Sequence, residues 1–274
     1  MVKIAFICPT HRESELHTYT ASALRTFFDT TANGVGIVVD DASEGWESAH
    51  TSHLKGLAAH EGQECVVFRY ADWGGLTRSW NKGLSIAKDM GCDYAICGNN
   101  DVLFPPMWYQ GLLHAMESGY SLVGPLSNAP GVTAKKKQEV QRYFPDYKPS
   151  DDLAYINMVQ KFLLDKFLGD VIDAPVNGFF QMAKMTTWLR GAYSQNFVYR
   201  PRNERTSKGY RNPTPLMTLN EDELQGRWRE LGFKSGVVPS SFIFHYRAVT
   251  RGGRYKKGLW TRKSEDKYDK SNCL

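Results

Sequence analysis

Between Lys3 and Gly124, short apolar and β-branched runs alternate with longer amphipathic stretches, a rhythm that only a layered α/β fold accommodates. Lys3–Cys8, Gly36–Val39, Glu64–Arg69, Tyr94–Cys97 and Ser121–Gly124 read as strands. Glu13–Phe28, His50–His60, Leu76–Met90 and Pro106–Gly119 read as helices, the last opened by a proline, which a first helical turn tolerates. Such alternation predicts a mostly parallel central sheet with helices on both faces. After Pro125 the rhythm breaks. Residues 126–150 read as an irregular loop beside a site, 151–168 as an amphipathic helix, and 192–216 as an irregular segment. No internal repeat divides the chain, so the expectation is one domain over 1–254, in halves 1–125 and 126–254, with a basic tail at 255–274.

Composition narrows the classes. With 274 residues, 42% hydrophobic and 23% charged, the chain has material for an ample core. No apolar run reaches the about 18 residues of a membrane span. Strand-like residues from Val2 onward leave no room for a leader peptide. Cys8, Cys65, Cys92, Cys97 and Cys273 show no metal-binding spacing and read as reduced thiols, the usage of a cytoplasmic protein. The net charge of +5 is local: Lys135-Lys136-Lys137 form one knot, and Arg247 to Lys270 another. Such segments suit phosphates, nucleic acid or an anionic membrane, or simply a solvated face.

Polar clusters fall where strands end, which is where open α/β sheets bind ligands. Asn99-Asn100-Asp101 follows the fourth strand; a carboxylate between amides there suits a divalent cation and the phosphates it carries. Taken alone, it is also an ordinary Asx-rich turn. Asp40-Asp41-Ala-Ser43 follows the second strand, able to accept hydrogen bonds from a base or ribose, or merely to shape a turn. Gly74-Gly75-Leu-Thr-Arg78-Ser-Trp-Asn81 opens a helix with small residues, which lets phosphate approach the backbone N–H groups; its spacing matches neither a Rossmann fingerprint nor a P-loop. In Leu219-Asn-Glu-Asp-Glu-Leu224, Asn220 as N-cap would make Glu223 the capping-box partner and Leu219 with Leu224 the staple. Glu221 and Asp222 are then left to complement the helix dipole or to serve as a general base. His245 ends a late strand, in a place where packed histidines outnumber ligands.

In order along the chain, these clusters resemble the inverting, nucleotide-sugar-dependent glycosyltransferases of the GT-A fold, family 2 in particular. Val38-Val-Asp-Asp-Ala-Ser43 is similar to that family's Val-Asp-Asp-Gly-Ser motif, and Trp80-Asn-Lys-Gly83 to its Arg-Asn-x-Gly helix start. Cys97-Gly-Asn-Asn-Asp101 falls where its Asp-x-Asp motif stands, and Asn177–Ala183 resembles its acceptor-side strand. Asn220–Leu224 with Arg227 is similar to its Glu-Asp-x-Asp-Leu-x-x-Arg helix, and His245 with Thr250 to its late His motif. The resemblance spans residues 3–254 and departs at Asn99, which replaces an Asp, and at Trp80, which replaces an Arg.

The resemblance implies a GT-A-type, Rossmann-like sandwich whose half 1–125 binds the nucleotide sugar and whose half 126–254 binds the acceptor. It implies Asp222, or its neighbour Glu221, as general base, and Asp101 with His245 as ligands of Mn²⁺ or Mg²⁺. Pro9, Thr10, Asp40, Asp41, Arg78, Asn81, Asn99, Asn100, Arg247 and Arg251 are the implied contacts to a donor, a UDP-sugar by expectation. Asn177 and Trp188 are the implied acceptor contacts. The acceptor hydroxyl is left open among a glycan, a lipid-linked sugar, a protein and, through the basic loop and tail, modified DNA. Two alternatives remain: a non-catalytic sugar- or nucleic-acid-binding module, and a nucleotidyltransferase, which Cys8-Pro-Thr-His-Arg12 disfavours by lacking glycines.

Overall fold

The computed structural model describes residues 2–11, 18–72, 75–130, 135–191 and 220–246, together with the backbone of 254–256 and 259–261. Side chains at 135, 136, 191 and 220–223 stand outside that set. The strands are β1 (Ile4–Thr10), β2 (Gly34–Asp41), β3 (Glu64–Tyr70), β4 (Tyr94–Gly98), β5 (Val102–Leu103), β6 (Leu122–Leu126), β7 (Ile172–Asp173), β8 (Phe180–Lys184), β9 (Ser235–Phe242), β10 (Phe244–His245), β11 (Arg254–Lys256) and β12 (Leu259–Thr261). The helices are α1 (Tyr19–Thr30), α2 (Ser48–His60), α3 (Leu76–Asp89), α4 (Gln110–Glu117), α5 (Lys135–Gln138), α6 (Leu153–Phe167), α7 (Met185–Gly191) and α8 (Asn220–Glu230).

Eight strands form one sheet in the order β3-β2-β1-β4-β8-β6-β9-β7. The β3-β2-β1-β4 half is parallel, as is β6 with β9; β8 runs antiparallel to both β4 and β6, and β7 antiparallel to β9. The chain builds outward from β1 through β2 to β3, then returns to place β4 on the other side of β1. The switch point is therefore between β1 and β4, and a ligand crevice is expected beyond Thr10 and Gly98. Alternation along the strands sorts two apolar layers. Phe6, Val38 and Ile96 pack with α1, α2 and α4, whereas Ile7, Val39 and Cys97 pack with α3, α7 and α8. Burial pushes the Cys92 thiol up to about 11 and the Cys97 thiol well above its ordinary value, so neither is a nucleophile at neutral pH.

Two helices start later than the sequence suggests; α1, expected from Glu13, begins at Tyr19, because Thr18 is extended and its hydroxyl caps the helix by accepting from the Ala21 N–H. Pro106–Gly119 was expected to be helical throughout, but α4 begins at Gln110. Met107 takes a left-handed conformation (φ 61°), which no right-handed helix continues through. That turn drives Trp108 into the core, where its indole N–H donates to the Thr31 hydroxyl at 3.2 Å and it is fully buried. Close packing elsewhere depends on the absence of a side chain. A Cβ on Gly83 of α3 would overlap Cγ2 of Ile7 on β1. Gly83→Val is therefore expected to destabilise the fold by about 1–3 kcal/mol, as overpacked cores do. A denaturant melt indistinguishable from wild type would show that α3 can slide on β1.

Candidate functional site

Asp40 and Asp41 sit side by side in sequence, but strand alternation sends them to opposite faces of β2. Asp40 follows Val38 to the α1/α2 side and is fully buried. It accepts hydrogen bonds from the Ser43 N–H (3.1 Å), the Ser43 hydroxyl and Arg69 Nε (3.0 Å). Arg69 in turn donates to the carbonyls of Ser43 (2.6 Å) and Trp46 (3.3 Å). This carboxylate is spent on clasping the loop after β2, so the expected nucleotide contact at Asp40 is corrected to a structural role.

Asp41 follows Val39 to the α3 side. It accepts from the Gly75 N–H at 2.6 Å, at the start of α3, and from Arg78 Nη2 at 2.7 Å. Its own carbonyl accepts from His11 Nδ1 at 2.7 Å, which ties the end of β1 to β2. Small residues before α3 were expected to admit phosphate to the helix N-terminus. Asp41 already supplies an anion to that positive end, which accounts for Gly75 capping the helix without a side chain. Arg78 is committed as well: it reaches the Asp72 carboxylate at 3.2 Å and lies over the Tyr70 ring, 3.7 Å from its centre. Burial pulls the Arg78 pKa down, but hydrogen bonds to Asp41 and Asp72 outweigh it and raise the value, so the clasp stays charged. The structure places Arg78 in this clasp, with its side chain 28% exposed. Asn81 lies half-buried one turn further along α3.

The switch point carries a different kind of chemistry. Pro9 is half-buried at the end of β1, and the Thr10 hydroxyl next to it is buried without a hydrogen-bond partner. Across the crevice, the Asn100 side-chain amide donates to the Thr20 hydroxyl at 3.1 Å, fastening α1 to the loop after β4. Asn99 and Asp101 instead face His245, which arrives from β10 paired antiparallel to β5. His245 Nδ1 lies 2.8 Å from the Ala129 carbonyl, an oxygen that only accepts, so Nδ1 carries the hydrogen. Nε2, bare whenever the ring is neutral, sits 3.2 Å from Asn99 Nδ2 and 3.2 Å from Asp101 Oδ1. Asp101 and His245 are each only 4% exposed, and the ring stacks on Phe179 at 5.1 Å.

Two acceptors that close, in a buried place, repel unless a proton or a cation joins them. A divalent cation fits these residues: one carboxylate, one imidazole oriented through its other nitrogen, and an amide. Among the described residues no group of three His, Cys, Asp or Glu side chains is placed to hold a metal; the group beside the pair is the neutral Asn99 carboxamide.

On the acceptor side, the Asn177 carboxamide oxygen accepts from the Phe179 N–H at 3.1 Å and shapes the turn into β8. Trp188, expected to meet the acceptor, is corrected to a core residue. It is 2% exposed, donates from Nε1 to the Ala95 carbonyl at 3.0 Å, and packs edge-on against Trp228. Helix α8 is fixed beside this turn, because the Gln225 carboxamide accepts from the Val176 N–H (2.7 Å) and donates to the Val176 carbonyl (2.8 Å). Glu221 and Asp222 belong to the first turn of α8, with their side chains outside the described set; Arg247 and Arg251 lie outside the described residues altogether. Sequence reasoning passed over the roles of Arg69, Thr20 and Phe179, whose partners are distant in the chain and leave no local signal.

The family model of glycosyl transferase family 2 matches residues 5–188. The chain belongs to that family. No curated protein matched it. Among solved structures, this family 2 chain is similar to the mannosyltransferase PcManGT from Pyrobaculum calidifontis in complex with GDP-Man and Mn²⁺, with TM-score 0.53 and 13% identity over 89% of this chain and 56% of that one. It is also similar to GalNAc-T7 with UDP, GalNAc and Mn²⁺, with TM-score 0.58 and 13% identity over 89% of this chain and 44% of that one. The chain thus spans about half the length of these two proteins. At such identity the likeness is one of fold, and the fold is the expected GT-A-type α/β sandwich. No helix among the described residues is long and apolar enough to cross a membrane.

Proposed function

We propose that this family 2 domain moves a sugar from a nucleoside diphosphate donor to an acceptor hydroxyl, with inversion at the anomeric carbon. The observation that carries the reading is the buried Asp101–His245 pair at the β1/β4 switch point, 3.2 Å apart with the imidazole hydrogen directed away from it. A divalent cation, Mn²⁺ or Mg²⁺, would be held by Asp101, His245 and Asn99 and would supply charge compensation to the departing diphosphate. Thr10 offers its unpartnered hydroxyl to the donor, beside Pro9 and Asn81. Asp222, in the first turn of α8, takes the proton of the acceptor hydroxyl. That oxygen attacks the anomeric carbon from the side opposite the diphosphate, and the breaking C–O bond leaves its electron pair on the diphosphate.

A hydroxyl of a glycan is the acceptor the reading favours. A polyanion such as DNA has no described surface in its support: Lys137 of the basic knot donates to the Asp173 carbonyl at 2.9 Å, and the basic run beyond Tyr246 lies largely outside the described residues. A thermal-shift panel of UDP, GDP and their sugar conjugates, with and without Mn²⁺, tests the donor class, because ligands that bind the native state raise its apparent stability. Mn²⁺-dependent shifts with one nucleotide series, accompanied by slow donor hydrolysis, are expected. Shifts with free sugars alone and no hydrolysis would favour the binding module instead.

A further inference from the structure

The ring of His245 is held from outside the crevice, by the loop that leaves β6. Ser127, fully buried, accepts the Ala129 N–H at 3.2 Å and donates to Asn128 Oδ1 at 3.3 Å. Its backbone is itself fixed: the Ser127 N–H donates to the Gln138 carbonyl (2.8 Å), and its carbonyl accepts from the Val140 N–H (3.0 Å). From this base the Asn128 carboxamide acts like a neighbouring strand. Its oxygen accepts the His245 backbone N–H at 2.8 Å, and its Nδ2 donates to the His245 carbonyl at 3.0 Å. The next residue, Ala129, supplies the carbonyl that takes the Nδ1 hydrogen. Two successive residues therefore set both the position of the His245 backbone and the tautomer of its ring.

We infer that Asn128 is a positioning residue for the cation site. By pairing with the His245 backbone it keeps the ring against the Ala129 carbonyl, so that Nε2 is the nitrogen presented to Asp101. This rests on the reading of Asp101 and His245 as cation ligands. Strand β10 has only two residues, and its ladder to β5 covers one side of His245, so the carboxamide supplies the pairing on the other side. Without it the ring can turn, and the hydrogen can move to Nε2, which then cannot ligate. Residues that orient a metal-bound histidine typically contribute about 10- to 100-fold to metal affinity.

The test uses the full chain, Mn²⁺ titrated by electron paramagnetic resonance in the presence of UDP, and long-range ¹H–¹⁵N spectra of His245 without metal. Wild type is expected to show the Nδ1-H tautomer. Asn128→Ala is expected to lose about 10- to 100-fold in Mn²⁺ affinity and to gain an Nε2-H population. Asn128→Asp, which keeps the acceptor for the His245 N–H, is expected to lose less and covers the case in which the alanine variant does not fold. A wild-type spectrum dominated by Nε2-H overturns the inference without any variant. Unchanged Mn²⁺ affinity in both Asn128 variants, when His245→Ala weakens it, overturns the positioning role and leaves the proposed function standing. Unchanged affinity in His245→Ala overturns both.

Discussion

Asp222→Asn is expected to lower sugar transfer by about 10²–10⁴-fold, the usual contribution of a general base, while nucleotide affinity stays near wild type. The expectation draws on how α8 is held. Leu224 and Trp228 are buried, and the Gln225 carboxamide grips both backbone groups of Val176. Val176 is three residues before Phe179, the ring stacked on His245, so α8 is anchored through Gln225, just past its first turn, to the segment that backs the cation site. The asparagine keeps the shape and polarity of the side chain, so lost packing is not a competing explanation. Parallel measurement of Glu221→Gln decides between neighbours. If that variant is inactive and Asp222→Asn turns over normally, the base is one residue earlier. If both remain active, no carboxylate of this turn is the base.

The fold was legible because the strand–helix rhythm is local. Each run from Lys3 to Gly124 announced its own period, and the sheet followed from rules about connections. The site was legible only in part, since strand ends mark where polar residues gather and not what they touch. Asp40 and Asp41 illustrate the gap. Both looked like ligand contacts, yet a period of two sends them to opposite faces, where Arg69 and Arg78 are waiting. Neither arginine is near in sequence, so no window of residues could reveal the pairing. Trp188 misled for a related reason: an aromatic late in an acceptor-like stretch reads equally as a sugar platform or as core. Its burial against Trp228 depends on where α8 docks. Asn99 and His245 stand 146 residues apart and were linked beforehand only through the resemblance to family 2. Asn128 gave no signal at all. An asparagine in a loop rich in Asn, Pro and Gly is what turns ordinarily contain, and its task becomes visible only beside the His245 backbone.

Asp101→Asn is expected to reduce Mn²⁺-dependent transfer by about 10²–10³-fold, the scale set by several kcal/mol of charge compensation at a departing diphosphate. Stability should move the opposite way in metal-free protein. Asp101 is 4% exposed and faces His245 Nε2; with the ring neutral, as the cation reading requires, an amide there removes a buried charge and an acceptor–acceptor contact together. Metal-free Asp101→Asn should therefore melt at the wild-type temperature or above it. Adding Mn²⁺ with nucleotide should raise the wild-type melting temperature, and EDTA should reverse the gain; the variant should respond to neither. An undamaged fold that has lost only its response to metal cannot come from general destabilisation, which would lower both melting curves. An equal Mn²⁺-induced shift in wild type and Asp101→Asn would remove Asp101 from the cation site. The short contact to His245 would then be an ion pair with a protonated imidazole, and a cation, if the reaction uses one, would be held elsewhere.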